Sequence, residues 1–305
     1  MTRQGLVLGI GNQKGGVGKS ITSTNLSCCF ARRNKRVLFI DADPQANGTS
    51  QLGMKKLAKT TGKNISQGLI SKVPIEDVIL NTNFENLFVV AGEIGFEDFN
   101  DLFSNKADGQ FLFRQWIEPA RSQFDYIIVD THPSLDLIFR NVMIAADFFL
   151  LPLFAEPESV EGLHTMTQSI SVIQSMLNPT LHPLGCIVTR YDKANDTHTS
   201  FRKNIIKFGK KHNLPLLGTI AYTQGIASAS ANGIPIVDFN KRTGAAKDYE
   251  KFADILVEKL VPRKKGRVPK VPVLTKQEVE SFMDSIEISK KPSHTDFEIG
   301  ESIEL

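Results

Sequence analysis

The chain has 305 residues, of which 41% are hydrophobic and 23% charged, with a formal net charge of +3. This composition suits a globular protein with one sizeable core and excludes collagenous or strongly polybasic chains. No run of eighteen apolar residues occurs, so no transmembrane helix is expected, and any nucleic-acid contact must come from a local basic patch.

Leu6–Ile10 is predicted to form a short buried strand, and a helix is predicted from Ile21 to about Arg33. The strand follows the N-terminus almost directly, so no signal peptide is expected. Between strand and helix lies Gly11-Asn-Gln-Lys-Gly-Gly-Val-Gly-Lys-Ser20. A glycine-rich turn there lets backbone N–H groups close around phosphate oxygens at the positive end of the helix dipole. Gly15, Gly16, Val17 and Gly18 form the turn, Lys19 is placed to reach the β- and γ-phosphates, and the Ser20 hydroxyl to ligate Mg²⁺. The strict G-x-x-x-x-G-K-[ST] pattern fails only at its first position, Gln13. Lys14 has no evident work within its own site. Cys28 and Cys29, adjacent on the helix, and Cys186 make neither a disulfide framework nor a metal set, and core packing is expected of them.

Val37–Ile40 reads as the next buried strand and leads into Asp41-Ala-Asp43-Pro44-Gln45. Asp41 either caps the turn or belongs to the site. Residues 54–115 read as the least regular region, with polar loops at Lys55–Asn64 and Glu93–Gln110. Tyr126–Val129 ends in Asp130, an apolar strand closed by the carboxylate expected to hold Mg²⁺ through water. His132 follows it as either an exposed loop residue or a catalytic one. Phe148–Leu153, Leu184–Val188 and Leu216–Ile220 read as further strands, and Val160–Leu177 and Ser200–His212 as helices. Buried strands alternating with helices predict an α/β P-loop NTPase fold, a mostly parallel twisted sheet covered on both faces.

Exposed basic groups are expected at Arg202, Lys203, Lys207, Lys210 and Lys211, and at Lys241, Arg242 and Lys247. Such groups either solubilise a surface or neutralise phosphates without reading bases. A domain boundary is expected near residue 260, with residues 1–260 as the phosphate-loop domain and 261–305 as a basic linker (Val261–Lys270) followed by a tail. Thr275–Ile288 has helical spacing of Val279, Phe282, Met283 and Ile286. Pro292–Leu305 is acidic overall and expected to be disordered.

Lys14-Gly-Gly-Val-Gly-Lys-Ser20, with Asn12-Gln13 before it and Asn25-Leu26 after it, resembles the deviant P-loop of the ParA/MinD family of ATPases, most nearly its plasmid and chromosome partition branch. The resemblance covers roughly residues 5–257. It implies a partner-stimulated ATP hydrolase using ATP and Mg²⁺. Lys14 would cross an ATP-bound homodimer interface to the other subunit's nucleotide, as an arginine finger does. Asp43 matches the aspartate that aligns the attacking water, and Arg190 lies in the loop flanking adenine, where it either stacks on the base or is solvated. Glu156 falls next to the dimer-facing site. The sequence departs from the family at Ile21, usually threonine, at His132, usually proline, and at Thr223–Ala229, which lacks the usual arginine.

The family further implies non-specific DNA binding and a ParB-like centromere-binding partner, in the cytoplasm on the nucleoid. The alternative is MinD-like positioning of cargo on a membrane or protein scaffold. Glu278, Glu280, Asp284 and Glu287 on the tail stretch would repel anionic lipid, so no membrane partner is expected. The cysteine positions do not suit an iron–sulfur reductase, and with the loop beginning near residue 11 no N-terminal repressor domain is expected.

Overall fold

The computed structural model describes residues 4–156 and 159–260, together with Thr275 and Gln277. The predicted linker 261–270 and nearly all of the tail stretch Thr275–Ile288 lie outside the described residues.

Eight strands form a single sheet: β1 (Leu6–Ile10), β2 (Val37–Ala42), β3 (Leu80–Asn81), β4 (Leu87–Val90), β5 (Tyr126–Thr131), β6 (Phe148–Phe154), β7 (His182–Tyr191) and β8 (Leu216–Ala221). Their spatial order is β3-β4-β2-β5-β1-β6-β7-β8, and every pair is parallel except the edge pair β3–β4. β1, β2 and β5 are buried along their whole length, as strands covered on both faces must be.

Thirteen α-helices accompany the sheet among the described residues. The first seven are α1 (Lys19–Arg32), α2 (Asn47–Gln51), α3 (Lys55–Thr61), α4 (Ile65–Leu69), α5 (Ile75–Val78), α6 (Asp98–Phe103) and α7 (Leu112–Ile117). They are followed by α8 (Leu137–Ala145), α9 (Ser159–Met176), α10 (Asp196–His212), α11 (Gly225–Ala231), α12 (Ile236–Phe239) and α13 (Gly244–Lys259).

Two apolar clusters fill the two faces. One joins Val7, Ile127 and Leu151 to Phe139, Met166 and Phe201 from α8, α9 and α10. The other joins Leu8, Phe39 and Ile128 to Leu26 and Phe30 of α1 and to Tyr249 and Phe252 of α13. Cys28, Cys29 and Cys186 are buried free thiols within this packing.

Residues 54–115 are more ordered than their sequence suggests. Most of the expected loop Lys55–Asn64 is α3, closed by Gly62 at φ 70°, and Asn64 then caps α4 by accepting from the Gln67 amide at 2.9 Å. The expected loop Glu93–Gln110 contains α6 and two 3₁₀ turns. Elements of four to seven residues are too short to show a clear apolar period, and packing holds them here: Ile65, Leu69, Phe96, Phe99 and Phe103 are all buried in the first cluster.

Candidate functional site

Strands β1, β2 and β5 lie side by side, with Ile10 in register with Asp130 and Asp130 with Asp41. Their carboxyl ends therefore open on one crevice, where ligands of parallel sheets bind. The loop 11–18 crosses it. Asn12, 1% exposed, pins the loop to β6 by donating to the Pro152 carbonyl at 2.7 Å, and its Oδ1 accepts from the Lys14 amide at 3.0 Å. Val17 is buried, its carbonyl accepting from the Thr189 hydroxyl at 2.9 Å.

Gly16 has φ 73° and Gly18 φ 82°. A Cβ at Gly16 would meet nothing within 4 Å, and one at Gly15 only Pro133, at 3.9 Å. The loop thus leaves a backbone-lined hollow beside the start of α1. No side chain caps that helix, and its first N–H groups remain available to an anion. Lys19 turns into the hollow, 6% exposed, and donates to the Lys14 carbonyl at 3.0 Å. Burial pulls its pKa down, and the nearby Asp130 and Asp43 carboxylates oppose that pull. Ile21 lies farther along, half-buried and packed against the second apolar cluster.

The carboxylates are buried. Asp130 is wholly inaccessible; its Oδ1 accepts from Ser23 at 2.9 Å, whereas its Oδ2 has no partner. Burial pushes the Asp130 carboxyl well up, Asp41 and Asp43 reinforce the shift, and the Ser20 and Ser23 hydroxyls oppose it. A divalent cation beside the orphaned oxygen would reverse this logic. No three His, Cys, Asp or Glu side chains converge as a metal cluster among the described residues. One carboxylate with the neighbouring Ser20 hydroxyl and an open phosphate cradle is the donor set of Mg²⁺, which keeps water and phosphate ligands.

Asp41 resolves the alternatives in its own way. It is fully buried, and its Oδ2 accepts from both the amide and the hydroxyl of Thr49, at 2.6 and 2.7 Å. Its Oδ1 accepts from the Asp43 amide at 3.3 Å, so it braces the turn that carries Asp43. Its pKa is pushed up to about 6, mainly by burial. Asp43, 5% exposed, accepts from the Gln45 amide at 2.9 Å.

His132 is largely buried rather than an exposed loop residue, with 15% of its side chain accessible. Its Nε2 lies 2.8 Å from Asp136, which caps α8 by accepting from the Phe139 amide at 3.1 Å. Asn100 of α6 also donates to Asp136, at 2.7 Å. The bonded cluster ties the turn after β5 to two helices. Sequence reasoning missed Asn100, because nothing local links it to residue 136.

On the other flank of the loop, Lys14 lies at the surface and pairs with Glu156 at 3.2 Å. Arg190, at φ 51°, places its guanidinium 4.9 Å from the Phe154 ring and 5.7 Å from that of Tyr222. It borders a cavity of about 330 Å³ lined also by Gly18, Ile21, Tyr222 and Ile226. That size lies within the range of small-ligand pockets. Neither Tyr222 nor Ile226 was named individually, although Ile226 lies within the altered segment Thr223–Ala229. The altered segment Thr223–Ala229 runs into α11 and forms another wall of this cavity.

The structure therefore gathers Gly15, Gly16, Val17, Gly18, Lys19, Ser20, Asp43 and Asp130 around one crevice, with Lys14 at its rim and Ile21 and Arg190 beside the adjoining cavity. Arg202, Lys203, Lys207, Lys210 and Lys211 are exposed on α10, and Lys241, Arg242 and Lys247 are exposed around the start of α13. No helix among the described residues is long and apolar enough to cross a membrane.

Residues 5–183 match the family model described as an AAA domain. A chromosome partitioning protein ParA from Myxococcus xanthus is 30% identical over 264 residues, covering 86% of this chain and 92% of the relative. Among solved structures, a putative plasmid partition protein from Borrelia burgdorferi B31 bound to AMPPNP is similar, with a TM-score of 0.71 and 28% identity over 84% of this chain and all of the other. So is a cobyrinic acid a,c-diamide synthase from Mycobacterium smegmatis with bound ATP analogue and magnesium, with a TM-score of 0.73 and 25% identity over 89% of this chain and all of the other.

Proposed function

The chain belongs to the ParA/MinD family of P-loop ATPases, and from that premise we propose that it is a partition ATPase whose ATP-bound form is a homodimer that binds DNA without sequence preference. It is an ATP hydrolase that uses ATP and Mg²⁺. Hydrolysis, stimulated by a ParB-like partner, would reset it, and its place would be the cytoplasm, on the nucleoid. Residues 1–260 would be the ATPase domain and 261–305 an appended tail.

One observation carries the reading. The crevice already holds one buried lysine, Lys19, while the second, Lys14, lies outside it in a surface ion pair. A cation so placed serves a neighbouring subunit better than its own site. Lys19 and the N–H groups of the loop would hold the phosphates, Ser20 and Asp130 the Mg²⁺, and Arg190 would border the adenine. Bound Mg²⁺ would offset charge on the phosphate oxygens. Asp43, braced through Asp41, would orient water for in-line attack, a role that needs position rather than strong basicity.

The basic face of α10 supports the DNA reading, since its exposed cations can neutralise phosphates. Binding to random-sequence DNA across salt, with ATP, ADP or no nucleotide, tests the proposal. Salt-sensitive binding should require ATP in the wild type and disappear in Lys14→Ala. Absence of ATP-dependent binding would redirect the reading to positioning on a protein scaffold.

A further inference from the structure

A second cavity, of about 430 Å³, lies beside the turn that carries Asp43, between α3 and the segment 92–94. Gln45, Ala46 and Thr49 form one wall, and Lys55, Lys59, Glu93 and Ile94 stand around the rest. Ala46 and Ala58 also line it, and Ile94 is 67% exposed, so an apolar surface opens to water beside the lysines. From Pro44 to Ile75 the chain contains five lysines and no Asp or Glu. Lys55, Lys56 and Lys59 have no carboxylate partner among the described residues. Glu93, the one lining carboxylate, accepts from the Ser66 hydroxyl at 2.9 Å, and the lysines outnumber it, so the groove is basic and apolar at once.

We propose that it receives the chain's own segment 275–288. That segment is the chemical complement: Val279, Phe282, Met283 and Ile286 recur at helical spacing among Glu278, Glu280, Asp284 and Glu287. Residues 275–305 carry eight acidic side chains against three lysines. Glu280 and Asp284 share the i, i+4 spacing of Lys55 and Lys59, which allows two ion pairs around an apolar contact.

Reach is sufficient. From Leu260 to Thr275 a chain spans at most about 50 Å, against a radius of gyration of about 18 Å for a domain of this size. The basic face of α10 is a poorer match, because it offers no exposed large apolar side chain. The groove wall is also the back of the Asp41–Thr49 brace, since the Thr49 hydroxyl that donates to Asp41 accepts in turn from the Gly92 amide at 2.8 Å. Occupancy of the groove therefore bears on the turn that positions Asp43.

Amide hydrogen exchange on the full-length chain tests the proposal. Phe282→Asp/Ile286→Asp should speed exchange in residues 55–64 and 92–97 about threefold or more, the loss of a local anchor. Lys55→Glu/Lys59→Glu should do the same, and adding Glu280→Lys/Asp284→Lys should restore protection. Unchanged circular dichroism of the tail variant is the folding control. Exchange unaffected by the tail substitutions would overturn the proposal. So would protection that rises with protein concentration, which assigns the groove to a second copy. Protection that appears only with added random-sequence DNA, equally in wild type and tail variant, would make the patch a nucleic-acid surface and also overturn it.

Discussion

On the β2–β5 side of the phosphate loop, Asp41, Asp43 and Asp130 are each at most 5% exposed and are braced by Thr49, Ser23 and backbone amides. On the β6–β8 side, Glu156 is half exposed at the side chain, and Arg190 rests on two rings at the surface. The same loop is thus flanked by a buried, hydrogen-bonded half and an open, weakly bonded one. Interactions in the first gain strength from exclusion of water, whereas those in the second remain cheap to break and remake. The division suits the proposed function, in which the chemistry would stay fixed while subunit contacts come and go.

Substitutions on the two sides should separate accordingly. Lys19→Ala, at the centre of the buried half, should lower ATP turnover about 10²-fold or more, measured as phosphate release at saturating ATP where saturation can be reached. A drop of only a few-fold would place the phosphates elsewhere.

Asp41 should show the buried side through pH. Its carboxyl titrates near 6 when folded against an ordinary value of 3.8. Between these values the folded chain holds a proton that the unfolded chain has released. The stability from this group is therefore full below about pH 4 and lost as pH rises through about 6. Relative to Asp41→Asn, denaturant unfolding of the wild type should lose on the order of 2 kcal/mol between pH 4 and 6.5. Parallel pH curves for the two proteins would show that Asp41 stays ionised.

On the open side the effects should be smaller. Glu156→Gln releases Lys14 from a surface pair worth roughly 0.2–1 kcal/mol. ATP-driven dimerisation, followed by light scattering, should tighten by no more than about fivefold, without loss of thermal stability. Arg190→Ala removes contacts worth about 0.5–1 kcal/mol and should raise the KM for ATP about two- to fivefold, with kcat little changed.

Much of the nucleotide crevice was legible because it is local. Strand, glycine turn, Lys19 and Ser20 follow one another in sequence, and Asp41 and Asp130 each end an apolar run. The six predicted strands, and the three predicted helices within the described residues, were found within four residues of their expected limits for the same reason. What was hidden depends on pairs distant in sequence: Lys14 with Glu156, Asn12 with Pro152, Asn100 with Asp136, and Tyr222 beside Arg190. The short elements of residues 54–115 were hidden for a related reason. Each of α3 to α7 spans at most seven residues and is held by packing rather than by its own period.

The central claim, that Lys14 acts on the other subunit's nucleotide, is tested most directly by mixing two impaired variants. Lys14→Ala keeps its own Asp43 but lacks the cation to lend, and Asp43→Ala keeps Lys14 but lacks the water-aligning carboxylate. In an equal mixture, a hetero-dimer would regain one complete site, and the ATPase rate should recover to about a quarter of wild type, the statistical share in a two-fold dimer. A mixture no more active than the mean of its two components would contradict the account.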